Sequence, residues 1–169
     1  MASNGKLPDT DLASINGGRL RKDAALAWNA MNEEATRLGV PLYPTGSKSS
    51  YRTFAQQQEL WNLYKSGKGN LAAVPGQSNH GWGLAVDLAT PQMRAMVDRI
   101  GAKYGFSKRC SDAQNEWWHI KYDPVCNKAT WKPPVTQPAQ PAQQTEYVTS
   151  VSTGMRGINQ NMTPVGYSQ

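Results

Sequence analysis

The residues best suited to chemistry are two histidines, the only two in the chain, each of which lies near an acidic residue. His80 precedes Asp87 with two glycines between them, and His119 follows Glu116 by three residues. Imidazole nitrogen and carboxylate oxygen are zinc ligands, and three protein ligands leave a fourth position open. The pattern therefore predicts a zinc site made by His80, Asp87 and His119. Taken alone, the first segment is equally consistent with a buried, hydrogen-bonded His–Asp pair.

Glu116 is the remaining acidic residue placed to act as a general base. A water on zinc ionises near neutral pH, and a nearby carboxylate can take its proton and deliver it to the leaving amine. In a regular strand Glu116 and His119 would point to opposite faces. This hypothesis requires Glu116 to precede the strand or to lie on a bulge. The alternative is a structural glutamate at the start of a strand.

These residues belong to an ordered set of motifs that resembles the zinc D-Ala-D-Ala metallopeptidase family. That family includes D-alanyl-D-alanine carboxypeptidases and phage L-alanyl-D-glutamate endopeptidases. Its pattern is Ser-x-His-x-x-Gly-x-Ala-x-Asp followed later by Glu-x-x-His, and a separate Tyr-Arg element resembles residues 50–57. The resemblance covers roughly residues 20–125. The matching positions are Ser78, His80, Gly83, Ala85, Asp87, Glu116 and His119, with Pro75 and Gly76 as the usual lead-in.

The resemblance implies roles for individual residues. It implies that His80, Asp87 and His119 hold the zinc ion and that Glu116 is the catalytic base. It also implies that Arg52 polarises the substrate carbonyl and stabilises the oxyanion. A guanidinium held near the metal would stabilise the charge that grows in the transition state; a solvated surface arginine is the alternative.

Five further residues are candidates for substrate binding, and each has a structural alternative. Ser78 would bind near the site or shape a turn, and Gln57 would support the helix carrying Arg52 or only pack against it. Strand alternation places Trp117 on the face of His119, although core packing is the usual role of such a tryptophan. The five candidates are Ser78, Gln57, Tyr51, Trp82 and Trp117.

Apolar periodicity and capping residues predict an α+β fold, in which about three helices flank a small, mainly antiparallel sheet that carries the metal site. The first helix is predicted from Leu20 to Leu38. The second is capped by Thr53, buries Phe54, Gln57, Leu60, Trp61 and Tyr64 on one face, and ends near Gly67. The third starts at Thr90 and Pro91 and carries a buried stripe that ends at Tyr104. Strands are predicted at 84–89, 117–122 and 40–43.

The composition changes sharply after Trp131, which predicts a boundary. Residues 1–131 form the predicted catalytic domain. Residues 132–145 are rich in proline and glutamine and suit a semi-extended linker. The polar tail, 146–169, is predicted to be disordered or to dock on another protein.

The charge balance is basic, with 18 Lys and Arg against 12 Asp and Glu, for a net charge of +6 in 169 residues. Such a surface favours anionic partners, such as nucleic acid, an acidic membrane or bacterial wall polymers. The positive charges are scattered without an arginine-rich run, which argues against nucleic acid. The mean hydropathy is −0.63, and no apolar run approaches the length of a membrane span. Cys110 and Cys126 bracket the second motif, and a disulfide and two free thiols both remain open.

The leading hypothesis is a zinc peptidase that cleaves peptidoglycan stem peptides, namely a phage endolysin that cuts the L-Ala–D-Glu bond during host lysis. Carboxypeptidase action on D-Ala-D-Ala is the second choice. Residues 1–6 lack an apolar signal core, so we expect the enzyme in the host cytoplasm before release to the wall, or on the virion. The family's fold also resembles the hedgehog signalling domain, which keeps a non-catalytic, zinc-stabilised wall-binding or virion component as an alternative. Glu116 distinguishes these classes, since a structural site needs no base.

Overall fold

The computed structural model describes residues 1–135, and these form an α+β fold with two small antiparallel sheets. None of the described helices is long and apolar enough to cross a membrane. The main elements in chain order are β1 (Leu12–Ile15), β2 (Gly18–Arg21), α1 (Lys22–Arg37), α2 (Phe54–Lys65), β3 (Ala85–Asp87), α3 (Pro91–Ile100) and β4 (His119–Lys121). There are three short 3-10 helices among the described residues: Asp9–Asp11 precedes β1, Asn79–Trp82 precedes β3 and Gly101–Tyr104 follows α3.

The core forms between α1, the β1–β2 hairpin, α3 and the central strand pair. The buried face of α1 includes Ala24, Trp28, Met31 and Ala35, which recur every three or four residues as the sequence predicts. It packs against β1 and β2 on one side and α3 on another. Burying this stripe supplies most of the stability of such a helix. The same cluster takes in further buried residues from the other elements, among them Val86, Leu88, Met93, Val97, Phe106 and Ile120.

Two predicted helix starts are confirmed. The Thr53 side chain accepts a hydrogen bond from the Gln56 backbone N–H, and the Gln56 side chain accepts one from the Thr53 backbone N–H, which makes a capping box. Thr90 caps α3 by accepting from the Met93 N–H, with Pro91 at the first helical position. Both signals are local in sequence.

Several predicted boundaries are wrong. Leu20 belongs to β2, and α1 starts at Lys22. The third helix ends at Ile100, and Tyr104 is buried in a 3-10 turn instead. Of the residues predicted to bury one face of α2, only Gln57 is buried, because Leu60 borders a cleft and Tyr64 faces solvent.

The strands also differ from prediction. Residues 40–43 form no strand, because the Leu42 N–H is taken by the Asn32 side chain and Pro41 has no N–H. The two predicted metal-bearing strands pair antiparallel but have only three residues each. The β1–β2 hairpin was not predicted, although its Asn16–Gly17 turn, with Gly17 at φ +87°, is a recognised hairpin signal.

Cys110 and Cys126 form a disulfide, with Cα atoms 5.9 Å apart, which decides between the two alternatives that the sequence left open. One compact unit spans Met1–Pro134. Most of the predicted linker (132–145) and the whole predicted tail (146–169) lie outside the described residues, so their roles stay predictions.

Candidate metal centre

Three short elements place the predicted metal ligands around one point. His80 lies in the 3-10 helix that precedes β3, Asp87 ends β3, and His119 begins β4. Asp87 and His119 are direct partners in the antiparallel register. One potential ligand atom from each residue lies within 4.8 Å of those of the others. The structure thus brings together residues that are far apart in the chain.

The geometry fits a tetrahedral zinc ion. Asp87 Oδ1 lies 3.2 Å from His80 Nε2 and 3.1 Å from His119 Nδ1. Both histidines are buried, and their rings meet edge to face at 5.2 Å between centroids. Two imidazole nitrogens and one carboxylate oxygen form the donor set of a zinc site that keeps a fourth position open.

The second nitrogen of each imidazole is occupied outside the cluster. His80 Nδ1 lies 2.8 Å from the Ser50 carbonyl oxygen, and His119 Nε2 lies 2.8 Å from Asp112 Oδ1. If these nitrogens carry the protons, His80 Nε2 and His119 Nδ1 present lone pairs to a metal. Such partners fix the tautomer and the orientation of a ligating histidine.

Asp112 is the residue of the site that sequence reasoning missed. Its second oxygen accepts a hydrogen bond of 2.7 Å from Asn79 Nδ2, so the carboxylate links the two ligand-bearing segments. It belongs to no recognised motif and lies in an irregular stretch. The formation of the disulfide loop and the approach of residue 79 place it there, and neither can be deduced from local spacing.

The charges of the cluster are strongly coupled. Burial alone would raise the pKa of Asp87, but hydrogen bonds from His119 and His80 outweigh it and hold that pKa well below its usual range. Burial would lower the pKa of His119, and the Asp112 and Asp87 carboxylates instead raise it to about 9. The pKa of Asp112 is lowered by His119 and Asn79 against the effect of burial. The Asp87 and Asp112 carboxylates therefore stay ionised, and their negative charge favours the binding of a divalent cation.

Glu116 lies before β4 and not within it, which removes the difficulty of opposite strand faces. The chain turns at this point, with the His119 N–H donating to the Glu116 carbonyl oxygen at 3.2 Å. Glu116 Oε2 is 4.0 Å from His119 Nδ1. The carboxylate therefore borders the same space as the ligand cluster.

Three contacts hold the Arg52 guanidinium beside Asp87. Its Nη2 lies 3.6 Å from Asp87 Oδ2, its Nη1 donates to Gln57 Oε1 at 2.9 Å, and its Nε donates to the Lys48 carbonyl at 2.9 Å. Burial lowers the pKa of Arg52, while Asp87 and Glu116 oppose that effect. Gln57 also donates to the Ala73 carbonyl at 2.8 Å, so it supports Arg52 and anchors the 69–73 segment.

A cleft of about 460 Å³ opens over the cluster. Its polar wall contains the three ligands, Arg52, Asp112 and Glu116. Its apolar lining includes Leu60 and Leu63 from α2, Leu71, Ala72 and Ala73 from the loop that follows, and Trp118. Among the described residues that line this cleft, Arg52 is the only Lys or Arg. The arrangement can bind a peptide and attack one of its carbonyls beside a metal ion.

The remaining candidates fall in different places. Ser78 lines the cleft, and its hydroxyl also accepts from the His80 N–H at 3.2 Å, as a turn-shaping residue would. Tyr51 is buried and its hydroxyl accepts from the Leu7 N–H. Neither Trp82 nor Trp117 lines the cleft. Because β4 begins only at His119, strand alternation does not apply to Trp117, and its neighbour Trp118 lines the cleft instead.

Comparison with known proteins is consistent with this geometry. Residues 17–125 match the family model of VanY, described as D-alanyl-D-alanine carboxypeptidase. No curated protein matches the chain.

Solved structures of the same fold are similar to the chain. The vancomycin resistance D,D-pentapeptidase VanY of a VanB-type cassette, in complex with Zn(II), has a TM-score of 0.52 and 24% identity over 72% of this chain and 86% of that one. VanYB in complex with D-alanine-D-alanine has a TM-score of 0.54 and 24% identity over 72% and 84%. The LdcB LD-carboxypeptidase has a TM-score of 0.57 and 24% identity over 75% and 78%.

Proposed function

Because the chain belongs to the VanY family of D-alanyl-D-alanine carboxypeptidases, and is therefore a zinc metallopeptidase, we propose that it hydrolyses an internal bond of bacterial peptidoglycan stem peptides. The bond we propose is the one between L-Ala and D-Glu, and the setting is host lysis by a phage endolysin. One observation carries the catalytic part of this proposal. The ligand cluster of His80, Asp87 and His119 shares a single cleft with Glu116 and Arg52.

In this proposal each residue of the cleft has a defined task. His80, Asp87 and His119 would hold the zinc ion, which would supply Lewis-acid chemistry toward water and the substrate carbonyl. Glu116 takes the proton of the attacking water on its carboxylate and delivers it to the leaving amine. Arg52 donates hydrogen bonds to the oxyanion as it forms, and Gln57 and the Lys48 carbonyl hold its guanidinium in place.

The charge of the cleft supports an internal bond over a terminal one. A carboxypeptidase must recognise a free C-terminal carboxylate, and cationic side chains bind that group most strongly. Among the described residues that line the cleft, Arg52 is the only Lys or Arg, and it is already paired with Asp87. An endopeptidase needs no second cation.

D,D-carboxypeptidase action is the second candidate. The description of the matching family names that activity. Ser78 and Asn79 line the cleft, and their uncharged side chains could donate hydrogen bonds to a terminal carboxylate.

Digestion of defined peptidoglycan by the zinc-loaded full chain tests the proposal, with mass spectrometry of the released fragments. New N-termini at D-Glu support the endopeptidase, whereas release of free D-Ala would favour the carboxypeptidase. The Glu116→Gln variant should bind zinc normally and lose hydrolysis. If the wild-type chain, fully loaded with zinc, leaves walls of several chemotypes intact, a non-catalytic wall-binding role replaces the enzyme.

The proposed place of action is the cell wall, reached from the host cytoplasm after membrane permeabilisation or from a virion. A net charge of +6 would favour adsorption to anionic wall polymers. The Cys110–Cys126 disulfide is of a kind that persists outside the reducing cytosol. Lysis of permeabilised host cells, but not of intact ones, on addition of the protein would support the endolysin role; co-purification with phage particles would support the virion role.

A further inference from the structure

The first residues of the chain, which carry no recognised motif, lie directly against the segment that holds His80. Asn4 is buried, and its Nδ2 donates to the Ser78 carbonyl oxygen at 2.7 Å. The Gly5 N–H donates to the Gly81 carbonyl oxygen at 2.8 Å. These two hydrogen bonds hold the backbone on both sides of His80.

The same residues also hold the segment that contains Arg52. The Phe54 N–H donates to the Gly5 carbonyl oxygen at 2.8 Å, and the Leu7 N–H donates to the Tyr51 hydroxyl at 3.0 Å. Arg52 lies between these two anchored positions. Residues 4–7 therefore bridge a metal ligand and the cation of the cleft.

The contact is too close to tolerate added atoms. A Cβ on Gly81 would lie 2.0 Å from Asn4 Oδ1, and a Cβ on Gly5 would lie 2.5 Å from the Phe54 backbone nitrogen. Gly5 also has a φ of +78°, which favours glycine. Close packing of the 4–7 segment against the rest of the chain therefore requires glycine at both Gly5 and Gly81.

We infer that the 4–7 segment is a positioning element, which fixes His80 relative to Arg52, and that Asn4 is its principal positioning residue. The His80 ring is held by the Ser50 carbonyl, but that bond orients the imidazole only if the backbone at 78–81 stays in place. The Arg52 N–H donates directly to the His80 carbonyl oxygen at 3.1 Å, and the Asn4 amide and the Gly5 backbone add restraints on the two sides of His80. The inference rests on the proposed function only in assigning zinc and hydrolysis to this cleft.

The Asn4→Asp variant tests this directly. It keeps the shape of the side chain but replaces the Nδ2 donor with an oxygen that faces the Ser78 carbonyl. Asn29→Asp is the matched control, because Asn29 Nδ2 also donates to a backbone carbonyl, that of Ser14, at an exposed position of α1. Zinc affinity is measured by competition with a chromophoric chelator, and hydrogen exchange is followed over residues 78–83.

We expect Asn4→Asp to weaken zinc binding about tenfold or more, as loss of outer support for a metal ligand does, and to accelerate exchange at 78–83. On defined peptidoglycan peptides kcat should fall more than KM rises, and the control should match the wild type. Asn4→Ala, which removes the donor without repulsion, should show the same changes to a smaller degree if Asn4→Asp does not fold.

A folded variant at position 4 that loses thermal stability but keeps wild-type zinc affinity and wild-type exchange at 78–83 would overturn the inference. The proposed function fails separately, if the wild-type chain binds zinc but cleaves no wall peptide. The zinc and exchange measurements still decide the role of Asn4 in that case.

Discussion

At the residue scale, the site depends on groups that lie behind the ligands as much as on the ligands. Asp112 accepts from both His119 and Asn79, so one carboxylate orients a ligand and ties down the segment of another. We expect Asp112→Ala to weaken zinc binding by roughly 10–100-fold, with Asp112→Asn intermediate because an acceptor oxygen remains. Chelator competition measures this, with Asp9→Ala, in a distant surface pair with Arg19, as the control. Wild-type affinity in Asp112→Ala would exclude the role.

Arg52 is the group best placed to stabilise negative charge that develops on the substrate. Arg52→Ala should lower kcat by about 10²–10³-fold, which is typical for loss of an oxyanion donor. Arg52→Lys keeps the charge but cannot donate to Gln57 and the Lys48 carbonyl together, so it should recover only part of the activity. Steady-state kinetics on defined stem peptides give the comparison. Undiminished turnover in Arg52→Ala would remove this role.

The raised pKa of His119 makes zinc binding depend on pH. In the zinc-free protein the pKa of His119 is raised from the ordinary value of 6.5 to about 9. The charged ring therefore stabilises the folded state fully below pH 6.5, and this stabilisation is lost as the pH rises through 9. Zinc requires the neutral ring and must displace this proton. We expect zinc affinity to rise by up to about tenfold per pH unit between pH 6.5 and 8.5. Calorimetry in buffers of different ionisation enthalpy should detect proton release, and a pH-independent affinity would contradict the assignment.

At the element scale, the irregular stretch before β4 carries Asp112 and Glu116 and has little regular structure to hold it. The Cys110–Cys126 disulfide closes this stretch, and the two cysteines are 16 positions apart in the chain. Buried Arg94 of α3 adds to this by donating to the Trp117 and His119 carbonyl oxygens. The disulfide closes the loop that contains β4, and Arg94 holds the start of that strand directly.

A paired Cys110→Ser and Cys126→Ser variant should therefore lose about 3 kcal/mol of unfolding free energy, the chain-entropy value for a loop of this size. Denaturant unfolding at fixed zinc measures the loss. Reduction of the wild-type protein should reproduce it and should have no effect on the double variant. Equal stability of the two proteins would show that β4 is held without the disulfide.

At the scale of the whole molecule, the ligands come from three separate elements, so zinc adds a link between the Asn79–Trp82 3-10 helix, β3 and β4. Zinc binds the folded state, and free zinc at about 1,000 times its Kd should stabilise that state by about 4 kcal/mol. Chelation should lower Tm by roughly 10–20 °C and abolish hydrolysis, and added zinc should restore both. Scanning calorimetry and a wall-clearing assay follow the two effects. Activity that survives a strong chelator would contradict the metal mechanism.

Local signals in the sequence determined much of this protein. Residue types and motif spacing predicted His80, Asp87 and His119 as the metal ligands, and the structure brings these three residues together. Capping residues predicted the starts of α2 and α3, because a cap depends on neighbours a few residues away. The β1–β2 hairpin was predictable from Asn16–Gly17 in the same way. The tertiary structure alone decided that Asp112 supports His119, that Trp118 rather than Trp117 faces the cleft, and that Asn4 holds the backbone beside His80. Those contacts join segments distant in the chain, and their geometry follows from how the whole core packs, which no local pattern encodes.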